Sequence, residues 1–300
     1  MEQIGKLIWN GAINTQILID ESLLVGEPSE DSNRLNLRVL RDVYIVHYLC
    51  HILEDLRIHL RDAPERLLPY LWFECGGQPL PWNYPIGVLY DSMRTQEICG
   101  YYKVSRSTLE NTVNVWKIRL RYGTETPATC IPLIDGIKQV KKYWMHQWKQ
   151  VCYILNGSSK QIMSLSIKDS DRFWQSVLRR DMATFEDIKT KIVPKSPRSL
   201  PLIIHGTPAV TLQPVVHGQN DDGTSATLAD VLRSATPEYF DERDVFTGTA
   251  VSNGIQIPIE MALEKLYFHF MSFDGFLHIV IDKGQYMQTC QEKESIRSVD

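Results

Sequence analysis

The stretches GGQPLPWNYPIGVLYD (residues 76–91) and NGIQIPIEMALEKLYF (253–268) follow one pattern, G-x-x-[LI]-P-x-x-x-x-[IL]-x-x-L-Y. Gly77, Leu80, Pro81, Ile86, Leu89 and Tyr90 match Gly254, Ile257, Pro258, Leu263, Leu266 and Tyr267. The chain therefore carries two copies of one supersecondary unit. Each copy reads as a strand, a glycine turn that tolerates positive φ, a short strand ended by proline, and a short amphipathic helix.

The flanking sequence repeats the same plan. Before the second copy come the strand-like runs SLPLIIHG and AVTLQPVVHG, then SATLADVLRS, a helix with Ser225 or Thr227 as N-cap; after it GFLHIVID closes with a strand. The order strand, strand, helix, strand, strand, short helix, strand is that of the β-grasp fold of ubiquitin. The first half follows it with LIWNGAINTQILID and RLNLRVLRDVYI as opening strands, VHYLCHILEDLRIHL as helix, YLWFECG and PLPW, the helix PIGVLYDSM, and VNVWKIRLRYG. Residues 26–33 and 92–110 read as polar loops.

Between the halves the periodicity is helical, and KIVPKSPRSLP (191–201) has three prolines that favour extended chain. The expected organisation is an α+β chain of two ubiquitin-like β-grasp domains flanking a helix-rich domain. Its boundaries are an N-terminal arm plus first ubiquitin-like domain over 1–136, the helix-rich domain over 137–192, and a linker over 193–198. The second ubiquitin-like domain spans 199–284, and the polar residues 285–300 form a disordered tail.

A formal net charge of −4 and a pI near 6.1 give no bulk electrostatic reason to bind nucleic acid. The six cysteines show no C-x-x-C and no zinc-ligand spacing, so no disulfide framework and no metal is indicated, a pattern that suits a reducing cytosol. No apolar run approaches the ~20 residues that span a bilayer, so any membrane role is expected to be peripheral. A ubiquitin-like modifier needs an exposed Gly-Gly tail. Here Gly76-Gly77 is internal and the sequence ends in IRSVD, so the β-grasp units are expected to receive or scaffold rather than to modify.

The segment YWMHQWKQVCYILNGSSK (143–160) opens the helical region. At 100° per residue, Trp144, Trp148, Val151 and Leu155 fall within about 60° and form one buried stripe. Lys149 lies at its border, beside Met145, Cys152 and Tyr153. Asn156-Gly157 ends the helix, and Ser158 with Gln161 has capping-box spacing for the next. Two readings of Lys149 stay open. It is a solvated flank lysine whose stem covers apolar surface, or it is a nucleophilic amine, which needs more than position because an ordinary lysine is free at pH 7 in roughly one molecule in a few thousand. Cys152, beside the stripe and without a neighbouring histidine on the helix, reads as a small buried hydrophobe before it reads as a thiol nucleophile. In QIGKLIW, Ile4, Leu7 and Ile8 share one face of a short helix or extended arm, which suits core packing or an anchor at a groove.

The segments IWNGAI, WFECGGQPLPWNYPIGVLYD, HQWKQVCYILNGSSKQIMSLS, RFWQSV, PLIIH and SFDGFLHI, in this order, resemble the autophagy protein 5 family in its yeast form. The resemblance implies the same two ubiquitin-like domains around a helical one. It implies that Lys149 is the acceptor of an isopeptide bond to the C-terminal glycine of autophagy protein 12, a ubiquitin-like modifier. Trp144, Trp148, Cys152 and Tyr153 then support the acceptor helix. The catalytic thiols belong to activating and conjugating enzymes that engage the chain transiently, and no cofactor or active site of its own is expected. It further implies that the N-terminal helix of autophagy protein 16 binds in a groove, for which the exposed-arm reading offers Ile4, Leu7 and Trp9. The assembled conjugate is expected to act like an E3 ligase, promoting lipidation of another ubiquitin-like protein with phosphatidylethanolamine. The expected location is the cytoplasm, with recruitment to the phagophore assembly site.

Overall fold

The computed structural model describes residues 2–26, 33–94, 102–105, 112–206 and 210–282. The tail expected over 285–300 lies outside them. Two compact units emerge, Trp9–His146 and Met1–Ile8 with Gln147–Asp300.

The chain opens with α1 (Glu2–Asn10), so LIWN ends a helix rather than starting a strand. A short apolar run does not distinguish the two, and tertiary burial of Ile8 and Trp9, 5% and 6% exposed, decides it. After Gly11 come β1 (Ala12–Ile19), β2 (Arg34–Leu40), α2 (Val46–Asp55), α3 (Pro64–Leu67), β3 (Leu71–Cys75), β4 (Gln78–Leu80), α4 (Ile86–Arg94), β5 (Tyr102–Ser105) and β6 (Thr112–Tyr122). The sheet order is β2-β1-β6-β3-β4, with β1 and β6 parallel in register Thr15↔Trp116 and the other pairs antiparallel. This is the β-grasp order. β5, inside a segment that reads as a loop, pairs antiparallel with the strand that follows it, β6, in register Ser105↔Thr112; its strand character comes from that pairing rather than from the polar local pattern.

The core of this sheet alternates as strands require. Ile13 and Ile17 of β1, Phe73 of β3, and Trp116, Ile118 and Leu120 of β6 are buried, as are Leu49, Ile52 and Leu53 of α2. The end of β2 is tied to α4 by Arg41, whose Nη2 donates to both carboxylate oxygens of Asp91 and whose guanidinium lies 5.4 Å from the Tyr90 ring centroid. A Cβ on Gly87 would stand 3.1 Å from Arg41 Cβ, tighter than an ordinary contact, so glycine lets the helix pack here without displacing Arg41.

α5 (Ile137–Asn156) is followed by α6 (Lys160–Met163), α7 (Ile167–Arg179) and α8 (Met182–Lys189). A second sheet then forms from β7 (Leu202–Gly206), β8 (Val210–Leu212), β9 (Thr249–Ser252), β10 (Ile255–Gln256) and β11 (Leu277–Asp282), with α9 (Leu228–Ala235) and α10 (Leu263–Phe270). Its order is β10-β9-β11-β7-β8, with β7 and β11 parallel, the same β-grasp plan as the first. Thr227, one of the two expected caps, starts α9 with a full capping box to Asp230.

The repeated motif occupies equivalent places in both sheets. Gly76-Gly77 and Asn253-Gly254 all have positive φ, the geometry of a tight two-residue hairpin. Leu80 closes β4 and Ile257 directly follows β10, both buried, and Ile86 and Leu263 begin the helices fully buried. Two ubiquitin-like domains thus flank a helical segment.

Candidate functional site

α5 is twenty residues long and carries the candidate acceptor. Trp144, Trp148 and Val151 are 0% exposed and Leu155 1%, so the stripe read from spacing is the buried face. Trp148 packs edge-on against Phe173 at 4.9 Å and Phe185 at 6.1 Å, and these two rings stack on each other at 5.1 Å. Its Nε1–H donates to the Phe273 carbonyl at 3.0 Å.

The loop that supplies this carbonyl lies between α10 and β11. Ser272 N donates to Phe276 O and Asp274 Oδ1 accepts from Phe276 N, closing a tight turn around Gly275. Gly275 has φ +88, and a Cβ there would sit 2.9 Å from Val151 Cγ1, so the turn can press on α5 only without a side chain. The Tyr267 hydroxyl donates to Gly275 O at 3.0 Å, and burial, then the Asp274 charge, holds that phenol well above its ordinary value. No local pattern in the sequence points Phe273, Gly275 or Tyr267 toward α5. The visible signal was glycine between Asp274 and Phe276 just before a strand, a turn without an evident target.

Lys149 is half-buried on the flank of this helix, and among the described residues no hydrogen bond or ion pair engages its ammonium. Its neighbour Gln150 donates from Nε2 to Gln213 Oε1 at 3.4 Å. Cys152 is 0% exposed, and its thiol donates to Ser158 O and Gln161 Oε1. That burial removes it as an accessible nucleophile. Tyr153 is 62% exposed, so of the four residues expected to support the helix, Trp144, Trp148 and Cys152 are in its buried face and Tyr153 is not.

The helix ends at Gly157, φ +71, whose N–H donates to Tyr153 O at 2.7 Å. Asn156 Nδ2 donates to Cys152 O and to Ile192 O, and Arg198 N donates to Leu155 O, so the proline-rich segment is tied to the helix terminus. The expected capping box of Ser158 and Gln161 does not form. Gln161 accepts from the Cys152 thiol instead, and Ser159 is the N-cap, without a side-chain bond.

The arm residues separate. Leu7 is 66% exposed, Ile4 is half-buried, and Trp9 is buried at 6%, leaving it no surface to offer a partner. A Cβ on Gly5 would lie 3.6 Å from Met182 Cε, which places this part of α1 against α8. No group of metal-binding side chains occurs among the described residues. Cys50, Cys130 and Cys152 are free thiols, but Cys75 is disulfide-bonded, which the scattered spacing did not reveal.

A second polar cluster is buried in the second sheet. His205 Nε2 lies 3.0 Å from His278 Nδ1, and His278 Nε2 lies 3.1 Å from Asp274 Oδ2, with all three residues under 7% exposed. Burial, then the proximity of His278, pushes the His205 imidazole well below its ordinary value.

Three family models match in sequence order. The description "Autophagy protein ATG5, UblA domain" matches residues 8–122, "alpha-helical bundle region" of the same protein 137–195, and its "UblB domain" 199–281. Autophagy protein 5 of Vanderwaltozyma polyspora is 43% identical over 285 residues, covering 94% of this chain and 96% of that protein. Autophagy protein 5 of Saccharomyces cerevisiae S288c is 36% identical over 290 residues, covering 94% and 96%. The crystal structure of Kluyveromyces marxianus Atg5 superposes with a TM-score of 0.77 at 31% identity, covering 93% of this chain and 99% of that one.

Proposed function

The chain belongs to the autophagy protein 5 family, and from that premise we propose that it serves autophagy as a conjugation acceptor through Lys149. In this reading the Lys149 amine is joined to the C-terminal glycine of autophagy protein 12. Other enzymes supply the thiol chemistry, and this chain supplies the amine and its setting. The observation that carries the reading is the contrast along one helix: a partly exposed Lys149 without a partner among the described residues, next to a fully buried Trp148. Such a helix holds the amine at a fixed surface position while the anchoring rings cannot move.

The remaining roles follow from the same family premise. The N-terminal helix of autophagy protein 16 docks by apolar side chains, with Leu7 and Ile4 as the arm residues that have surface to give. The conjugate acts like an E3 ligase toward phosphatidylethanolamine lipidation of another ubiquitin-like protein. Recruitment from the cytoplasm to the phagophore assembly site is peripheral; no helix among the described residues is long and apolar enough to cross a membrane.

The test is Lys149→Arg, which keeps the charge and removes the acceptor chemistry. On a denaturing gel the heavier conjugate band is expected to vanish while the thermal unfolding midpoint stays unchanged. A conjugate band of full intensity in the variant refutes the assignment.

A further inference from the structure

The first ubiquitin-like domain has a basic cleft that no part of the conjugation reading uses. β2, β1 and β6 are adjacent, and Arg34, Leu18 and Arg119 stand opposite one another in register. Residues directly opposite across neighbouring strands share a face, so the two arginines flank Leu18. Both are exposed, and among the described residues neither has an ion-pair partner. Arg121, farther along β6, differs. It lies 3.3 Å from Asp20 and 3.7 Å from Glu74.

These groups, with Glu21 and Asn33, line a cleft of about 430 Å³, within the range of small-ligand sites. Its wall holds a fully buried acceptor without a hydrogen-bond partner, Asn33 Oδ1, whereas Arg121 Nε faces the Glu74 carboxylate. A buried acceptor of this kind is costly unless something completes it.

We propose that this cleft binds a hydroxyl-bearing phosphate ester, with the phosphate between Arg34 and Arg119 and the hydroxyls on Asn33 and Glu21. Guanidinium forks match phosphate oxygens, and two of them without carboxylate partners among the described residues leave local positive charge to be met. Asp20 does not meet it. Its oxygens already accept from Ser22 N and Ser22 Oγ and pair with Arg121. Asn33 Oδ1 and the Glu21 carboxylate are acceptors only, so they call for donors on the ligand. Inorganic phosphate offers only P–OH donors on the charged group itself, which Glu21 repels, whereas the hydroxyls of an inositol or sugar phosphate supply several donors away from the phosphate. The mixed lining therefore selects the ester over the ion.

The test is titration calorimetry on the full chain with inositol monophosphate, inorganic phosphate and myo-inositol. The monophosphate is expected to bind roughly tenfold or more tightly than inorganic phosphate, and myo-inositol to give no heat. Affinity should weaken with added salt. The double variant Arg34→Gln/Arg119→Gln should lose about tenfold or more in ester affinity with an unchanged unfolding midpoint, while Arg57→Gln, at an exposed arginine just past α2, binds as the parent does. Vesicles of phosphatidylcholine with and without phosphatidylinositol phosphate separate the sources. Co-sedimentation that soluble monophosphate competes away assigns a lipid headgroup, and ester binding without co-sedimentation assigns a free ester. Equal ester affinity in the parent and double variant overturns the proposal. So does inorganic phosphate binding as tightly as the ester, or no binding of the ester at millimolar concentration.

Discussion

The Trp148 indole N–H donates to the Phe273 carbonyl at 3.0 Å across 125 positions of sequence. The residue immediately before Lys149 is thus fixed by a turn of the second ubiquitin-like domain. Trp148→Phe keeps most of the ring packing but leaves the buried Phe273 carbonyl without its donor. A loss of about 2–3 kcal/mol in unfolding free energy is expected, measured by urea titration, with the midpoint shifting and the slope constant.

The partner side of this clamp is equally demanding. Gly275 has φ +88 and would place a Cβ 2.9 Å from Val151. Gly275→Ala combines backbone strain with overpacking, and about 2–4 kcal/mol of destabilisation is expected from the two effects. In the Val151→Ala background the overpacking part should shrink, so a double-mutant cycle reads favourable coupling between the positions.

Buried His205 gives a pH dependence with a definite sign. Its folded-state pKa lies well below its ordinary value through burial and then His278, while the unfolded chain protonates it near 6.5. Below that pH the unfolded state binds the extra proton and the folded state does not, so stability falls as pH drops from about 6.5. The slope from this group is at most about 1.4 kcal/mol per pH unit. The surrounding titratable groups are His278, Asp274 and Tyr267. Unfolding titrations from pH 7.5 to 5 should show that slope, and His205→Asn should flatten it.

Arg41 and Asp91 form a buried ion pair in the first domain, with side chains 12% and 6% exposed. Asp91→Asn removes the charge that compensates the guanidinium, and a loss of about 3–5 kcal/mol is expected in chemical unfolding. Replacing both partners, Arg41→Met with Asp91→Leu, should recover most of it, because the cost lies in the stranded charge rather than in a lost attraction.

The repeat around Gly77 and Gly254 made both β-grasp units legible, because each position answers a local demand: positive φ at the turn, a proline after the short strand, an apolar helix start. The helical stripe of Trp144, Trp148, Val151 and Leu155 was legible for a similar reason, since 3.6-residue periodicity is a property of the segment alone. Where a partner outside the segment decides, local pattern is not enough. LIWN became helix when Ile8 and Trp9 found buried positions, β5 exists through its pairing with β6, and the Ser158–Gln161 box gave way because Gln161 accepts from the Cys152 thiol.

The sequence by itself determined the two-domain β-grasp plan, the amphipathic helix between the halves and the position of Lys149 on its border, all of which depend on spacing and turn chemistry. Only the tertiary structure decided that Tyr153 stands in solvent, that Cys152 is sealed, and that the Phe273–Gly275 turn clamps α5. It also brought Arg34 and Arg119 to either side of Leu18. These relationships join residues far apart in the chain, and their energies come from burial and close approach, which local periodicity does not encode.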